Sequence, residues 1–321
     1  MHDITDIPGR PVPGADGPAR PAIPRDLPDR LAGVAPSRLT ETVGALVGVL
    51  QELAADVRLT DAEFRATLAF LTEVGHHADP RRQEWVLLAD ALGLSARIEA
   101  LNHPRPAGAT PNTGAGPFYR PDAPDLDNGA TISRDGKGQP LAVTGRLRGL
   151  DGRPVADALV EVWQANACGA YENQEPDHQP EHNLRGRFRS DGRGRFAFRS
   201  VMPGGYALPS DGPVGRLMGD LGLCLERPAH IHLRVTAPGY ERLTTHVFDR
   251  DDPAIGRDAI FGVRPELLAE FRQLPAAPDA PETPGDPAPG RALDLDLVLC
   301  PRTAEAPAPD TPSSSQTEET E

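Results

Sequence analysis

Apolar positions recur at helical spacing from about Ser37 to His103, then alternate with polar ones from about Val143 to Phe248. In "LTDAEFRATLAFLTEVG", residues 59–75, Thr60 and Glu63 stand in capping-box register, with Phe64, Leu68 and Leu71 on one helical face. "RRQEWVLLADALGLSARIEALN", residues 81–102, continues with Trp85, Leu88 and Leu92 at the same spacing, the pattern of helices packing on a neighbour. Helical signals fade after Pro104. Short alternating runs follow, "VTGRLRGL", "ADALVEVWQA" and "GRFAFRSV", separated by turn signals such as Asp151-Gly152 and Asp191-Gly192. Phe196 and Phe198 alternate with Arg195 and Arg199, as a half-buried strand requires, and "ALDLDLVL", residues 292–299, reads as a final strand. The pattern predicts a mainly β protein, a β-sandwich core preceded by a helical segment. The string "GRFRSDGRGRF" reads as a solvent-facing hairpin in preference to a basic nucleic-acid segment.

Composition divides the chain further. Half of the 36 prolines of the 321 residues fall in 1–36 and 275–321, where no hydrophobic periodicity survives. The reading is a Pro-rich disordered tail over 1–36, a helical domain over 37–103, a β-sandwich catalytic domain over 104–300 and a disordered acidic tail over 301–321. Residues 275–321 carry ten acids against two arginines, a net −8 out of −14 for the whole chain. The acidity is mostly a solvating tail, so neither nucleic acid nor an anionic membrane is expected as a partner. No apolar run is long enough to span a bilayer and the start has no signal-peptide core, which predicts a cytoplasmic protein. Cys168, Cys224 and Cys300 are odd in number, far apart and form no CxxC, so they read as inert thiols.

The candidate chemistry begins at "RPAHIHLRV", residues 227–235. In an extended strand His230, His232 and Arg234 share one side while Ile231, Leu233 and Val235 take the other. Two imidazoles side by side suit a metal pair, and equally an ordinary half-buried strand. Two of the four tyrosines, Tyr171 in "VWQANACGAYEN" and Tyr206 in "VMPGGYALP", fall in Gly-rich connections where core packing is not expected. A phenol ionises only near pH ~10 and serves zinc or magnesium poorly, whereas a trivalent hard cation favours anionic oxygen. Two tyrosinates and two neutral imidazoles carry two of the three charges of Fe(III), and a hydroxide can carry the third.

"GPFYRPDAP", "VWQANACGAY", "NLRGRF", "PGGYALP" and "RPAHIH" follow in the order and spacing of the intradiol ring-cleavage dioxygenases, and the chain resembles that family from about Ser37 to Phe271. The resemblance implies a ferric ion held by Tyr171, Tyr206, His230 and His232. It implies that Tyr206 takes up a substrate proton while Tyr171 stays bound, and that Arg227 stabilises negative charge on the ring. O₂ and a small aromatic diol or triol are the implied substrates, with no organic cofactor. "NLRGRFRSD", "YALPSDGPVG", "LTTHVFDRDDP" and "DAIFGV" resemble the hydroxyquinol branch, which cleaves benzene-1,2,4-triol. His246 stands where catechol enzymes generally carry Gln; a packed strand histidine is the plainer reading of it. By resemblance, Leu92, Pro117, Phe118, His246, Ile260, Phe261 and Gly262 line the substrate pocket. The helices are expected to form a homodimer interface, where family members often hold a phospholipid. Gly205 in place of a common Pro, and Leu233 in place of a frequent Phe, leave the ring substituents open: catechol or a chlorocatechol is the alternative. A transthyretin-like binding module would match "VTGRLRGLDGRPVADALVEVW" equally well, but has no reason to place two tyrosines with the histidine pair. A copper or zinc hydrolase lacks a third ligand of the usual kind. "DRDDP" reads as a plain loop, and His76, His77, His178 and His182 as exposed, the last two near enough to Tyr171 to reach a pocket rim.

Overall fold

A computed structural model describes residues 33–79, 82–274 and 290–302. The expected tails fall almost wholly outside the described residues. The chain divides into two compact units, one within Met1–Trp85 and Asp211–Gly222, the other within Val86–Ser210 and Leu223–Glu321.

The first unit is helical. Its helix α1 (Arg38–Asp56) is capped by Ser37, and α2 (Asp61–His77) starts at Thr60, whose N–H donates to Glu63 Oε2 at 2.7 Å in the expected capping box. Helix α3 (Glu84–Ala91) begins here, α4 (Leu94–Asn102) lies wholly in the second unit, and α5 (Pro213–Asp220) returns to the first. The N–H of Val214 donates to the buried Glu84 carboxylate, which also takes Arg82 Nε at 2.9 Å, and Arg216 pairs with Glu73. These links hold α5 to α2 and to the first residue of α3. Helix α1 buries no residue at all: Leu46, Val49, Leu50 and Leu53 are each more than half exposed. Among the described residues no helix is long and apolar enough to cross a membrane.

The second unit is the β-sandwich. One sheet has the order β10-β11-β1-β4, built from β1 (Pro140–Gly149), β4 (Arg195–Val201), β10 (Arg272–Gln273) and β11 (Arg291–Leu299). The other has the order β3-β2-β7-β8-β9, from β2 (Leu159–Gln164), β3 (Arg185–Arg189), β7 (His230–Thr236), β8 (Leu243–Asp249) and β9 (Leu268–Ala269). A short ladder joins β5 (Tyr206–Ala207) to β6 (Glu226–Arg227). The expected last strand forms, pairing in parallel with β1. Leu141, Val143, Val160, Val162, Phe188, Phe198, Ile231, Leu233, Leu295 and Leu297 meet in one core between the sheets. Burying each such side chain contributes about 1.5–3 kcal/mol.

One expectation is overturned. "GRFRSDGRGRF" is no hairpin, since β3 pairs with β2 and β4 with β1, so the Asp191-Gly192 turn carries the chain from one sheet to the other. The core fits this arrangement: β3 and β4 take their hydrogen bonds from β2 and β1 in different sheets, and Phe188 and Phe198 meet across the layers, stacked at 5.4 Å.

Candidate metal centre and substrate pocket

The register of β7 creates the site. Ile231, Leu233 and Val235 fill the inter-sheet core, and the alternate residues His230 and His232 are buried on the opposite face. A one-residue slip would exchange the two sets, so the core side fixes which way the imidazoles point. On β8, His246 lies directly across from His232, and their ring centroids are 4.2 Å apart. Ligand nitrogens of His230, His232 and His246 fall within 4.8 Å of one another.

The tyrosines arrive on two interlocked loops. Gly169 has φ of 86°, and a Cβ there would lie 2.5 Å from the carbonyl oxygen of Gly205; a Cβ on Gly204 would lie 2.5 Å from that of Ala167. Bare backbone lets "ACGAY" and "PGGY" press together, and the rings of Tyr171 and Tyr206 come to 5.9 Å between centroids. Tyr171 is not a loop residue free of packing, as the sequence suggested. It is 1% exposed, under the stacked ring of Phe118 at 4.3 Å, because Trp163 and Ala165 make a small second cluster with it.

Tyr171 Oη is 3.0 Å from His232 Nε2, which is 3.2 Å from His230 Nε2. With metal–nitrogen bonds of about 2.1 Å, atoms so spaced are neighbours on a single ion. His230 Nδ1 lies 2.7 Å from the carbonyl oxygen of Pro228, which holds the proton there and leaves the Nε2 lone pair directed at the centre. Burial, aided by the charge of Arg227, pushes His230 and His246 well below the ordinary imidazole range; for His232 burial acts first, then its two histidine neighbours. All three are neutral and fit to ligate. Burial also drives the Tyr171 phenol well above its usual value, so a tyrosinate there requires a cation beside it.

Arg227 is 3% exposed, anchored by Nε to Asp258 Oδ1 at 3.1 Å, with Nη1 3.5 Å from Tyr206 Oη. Its Nη2 finds no partner among the described residues and lies close under Gly262, where a Cβ would come within 3.1 Å.

Two family models match the chain: "Catechol dioxygenase N terminus" over residues 37–110 and "Dioxygenase" over 115–301. The chain belongs to the intradiol dioxygenase family. It is an aromatic ring-cleavage dioxygenase, and the binding-module and hydrolase alternatives fall away. It is 45% identical over 245 residues to a hydroxyquinol 1,2-dioxygenase of Rhizobium sp., covering 76% of this chain and 83% of that one. It is 43% identical to a 6-chlorohydroxyquinol 1,2-dioxygenase of Cupriavidus pinatubonensis, covering 85% and 94%. The structure of a hydroxyquinol 1,2-dioxygenase from Pseudomonas putida DLL-E4 superposes with a TM-score of 0.80 at 37% identity, covering 86% and 96%.

In this dioxygenase the residues expected to line the pocket are not equally placed. Phe118 stacks on Tyr171, His246 lies across from His232, and Gly262 lies against Arg227 Nη2. Pro117 is exposed but adjoins Gly116, where a Cβ would meet His232 Cε1 at 3.5 Å. Phe261 is 60% exposed with φ of 58° and packs on Gly93 beside Leu92, itself 63% exposed, while Ile260 is partly buried. Neither Leu92 nor Phe261 is brought to the histidines. Three residues escaped the sequence reading. Asp258 anchors Arg227. Asp90 is half buried, its carboxyl pushed up by burial while the Arg227 charge pulls it down. Arg185 lies beneath Tyr171. Arg185 and Asp258 stand in the quoted strings "NLRGRF" and "DAIFGV" without being singled out, and Asp90 sits in text that carried no signal.

Proposed function

We propose that this enzyme is a ferric intradiol dioxygenase whose preferred substrate is benzene-1,2,4-triol, cleaved with O₂ between its adjacent hydroxylated carbons to 3-hydroxy-cis,cis-muconate, the tautomer of maleylacetate. The observation that carries it is the convergence of two phenols and three neutral, buried imidazoles on one point, in a chain whose relatives are hydroxyquinol dioxygenases. Tyr171, Tyr206, His230 and His232 hold the iron. Bound there, Fe(III) supplies the charge that keeps both diol oxygens ionised and the redox partner that makes the ring reactive towards O₂.

The protein does the rest. Tyr206 is less buried than Tyr171, and its Oη accepts a proton from a substrate hydroxyl. Arg227, fixed by Asp258, offers its unpartnered Nη2 to the negative charge that develops on the ring. Phe118 and Trp163, stacked on Tyr171 and His232, keep water from the ligands. Among the described residues His246 has no hydrogen-bond partner at either ring nitrogen, and its imidazole meets the third hydroxyl of the triol. The bared apolar face of α1 forms the homodimer interface and is where a phospholipid would bind, and the enzyme works in the cytoplasm.

The test is direct. Purified protein carries about one iron per chain, is coloured by tyrosinate charge transfer, and converts the triol to a dicarboxylic acid. A colourless zinc protein, or a yellow ring-opened semialdehyde as product, refutes the reading.

A further inference from the structure

The chemistry above leaves one buried charge without a task. Arg185, the first residue of β3, is 1% exposed, and its Cζ lies 6.0 Å from the centroid of the Tyr171 ring. Its Nε donates to Glu172 Oε1 at 2.7 Å, and Nη2 makes a close ionic contact with Oε2, also at 2.7 Å. Its Nη1 donates to the carbonyl oxygen of Phe118. Glu172 follows Tyr171 in the chain and is 3% exposed, and Phe118 is the ring stacked on Tyr171. One guanidinium thus grips the residue after the phenol, the backbone of the ring that covers it, and the space below it. Beyond Glu172, Arg120 adds an outer contact at 3.1 Å and turns away to the exposed Asp122 and Glu181.

Stability does not explain this arrangement. Removing two charges from water is costly, and apolar residues of similar volume commonly replace such a pair without loss. A planar fork of donors, one to Glu172 and one to the Phe118 carbonyl, gives fixed geometry instead.

We propose that Arg185 is a positioning residue for ring cleavage: through Glu172 and the Phe118 carbonyl it fixes the Tyr171 phenol, and its charge steadies the tyrosinate that the phenol becomes. The proposal rests on the ferric tyrosinate reading above. Because the guanidinium lies over the ring, losing it together with its carboxylate partner leaves the tyrosinate electrons higher in energy. Charge transfer to iron then needs less energy, and the visible band moves to longer wavelength.

The experiment compares iron-loaded native enzyme with the double variant Arg185→Met, Glu172→Leu, with Arg185→Lys and with Arg120→Gln. Melting temperature, iron content, the visible band, and kcat and KM for benzene-1,2,4-triol are measured. The double variant, which leaves no unpaired charge, should melt close to native and bind iron. Its band should move to longer wavelength and its kcat fall about tenfold, with KM changed less than threefold. Arg185→Lys, which keeps the charge but not the fork, should recover most of the band position and less of kcat. Arg120→Gln removes only the outer contact and should leave the band in place. A folded double variant with native band and native kcat overturns the proposal. Should that variant not fold, Arg185→Lys decides, since native kcat without the fork also overturns it. A native enzyme with no visible band would instead sink the ferric reading on which the proposal stands.

Discussion

His246 offers the sharpest test of substrate choice. Its side chain is buried, stands across from His232 in the ladder, and leaves both ring nitrogens without a partner among the described residues. A neutral imidazole has one donor and one acceptor, and the triol differs from catechol by one hydroxyl that can satisfy either. Catechol would leave that pair unmade, a loss of about 1–3 kcal/mol, or roughly tenfold to a hundredfold in kcat/KM. All three candidate substrates present adjacent hydroxyls, so the metal itself discriminates little between them. The assay is kcat/KM for benzene-1,2,4-triol, catechol and a chlorocatechol, in native enzyme and in His246→Gln and His246→Leu. Native enzyme should prefer the triol by that factor, His246→Gln should shift the ratio towards catechol, and His246→Leu should abolish most of the preference. Iron content should survive both substitutions, because four other side chains hold the ion. Equal native rates on triol and catechol refute the specificity argument while sparing the ring-cleavage one. Loss of iron in His246→Leu would refute it differently, by making His246 a fifth ligand.

The two tyrosines should part company on substitution. Tyr171→Phe, at the buried position, should bleach or strongly shift the visible band, whereas Tyr206→Phe should keep some absorption and lose turnover more than iron, read by spectroscopy and metal analysis. The iron-free protein should lose stability as pH falls below about 6.5, because the unfolded chain takes up protons that the three depressed imidazoles refuse. Each contributes up to about 1.4 kcal/mol per pH unit, so three give about 4 until the folded histidines themselves titrate. Denaturant midpoints that stay flat between pH 6.5 and 5, above the carboxylate range, would contradict their burial as neutral groups. Removing residues 1–30 and 303–321 should leave kcat and KM for the triol unchanged, and a folded but inactive product would reassign the tails as a lid or an interface.

How much of this was legible depended on whether a residue's role repeats along the chain or is created by folding. Alternation around His230 and His232 was readable because the apolar partners Ile231 and Leu233 dictate the face, and the core dictates it again in three dimensions. The capping box at Thr60 was readable for the same reason, being satisfied within four residues. The Asp191-Gly192 turn was misread because a turn signal fixes where the chain reverses, whereas the sheet it enters is decided by strands remote in sequence, β2 pairing with β3 and β1 with β4. Burial of Tyr171 was likewise invisible: its Gly-rich neighbours suggested a loose loop, whereas those glycines are what let a second loop press against it. The same distinction explains the missed charges. Arg185 and Asp258 look like surface residues in one dimension, and become polar anchors only when strands remote in sequence bring Tyr171 and Arg227 to them, while Asp90 becomes half buried within reach of the Arg227 charge. A reading of sequence therefore recovers residues that would touch the iron more readily than those that hold them. Substitutions at Arg185 or Asp258 should accordingly disturb the centre without altering any of its four ligands, so the ligand motif alone is an insufficient guide to activity.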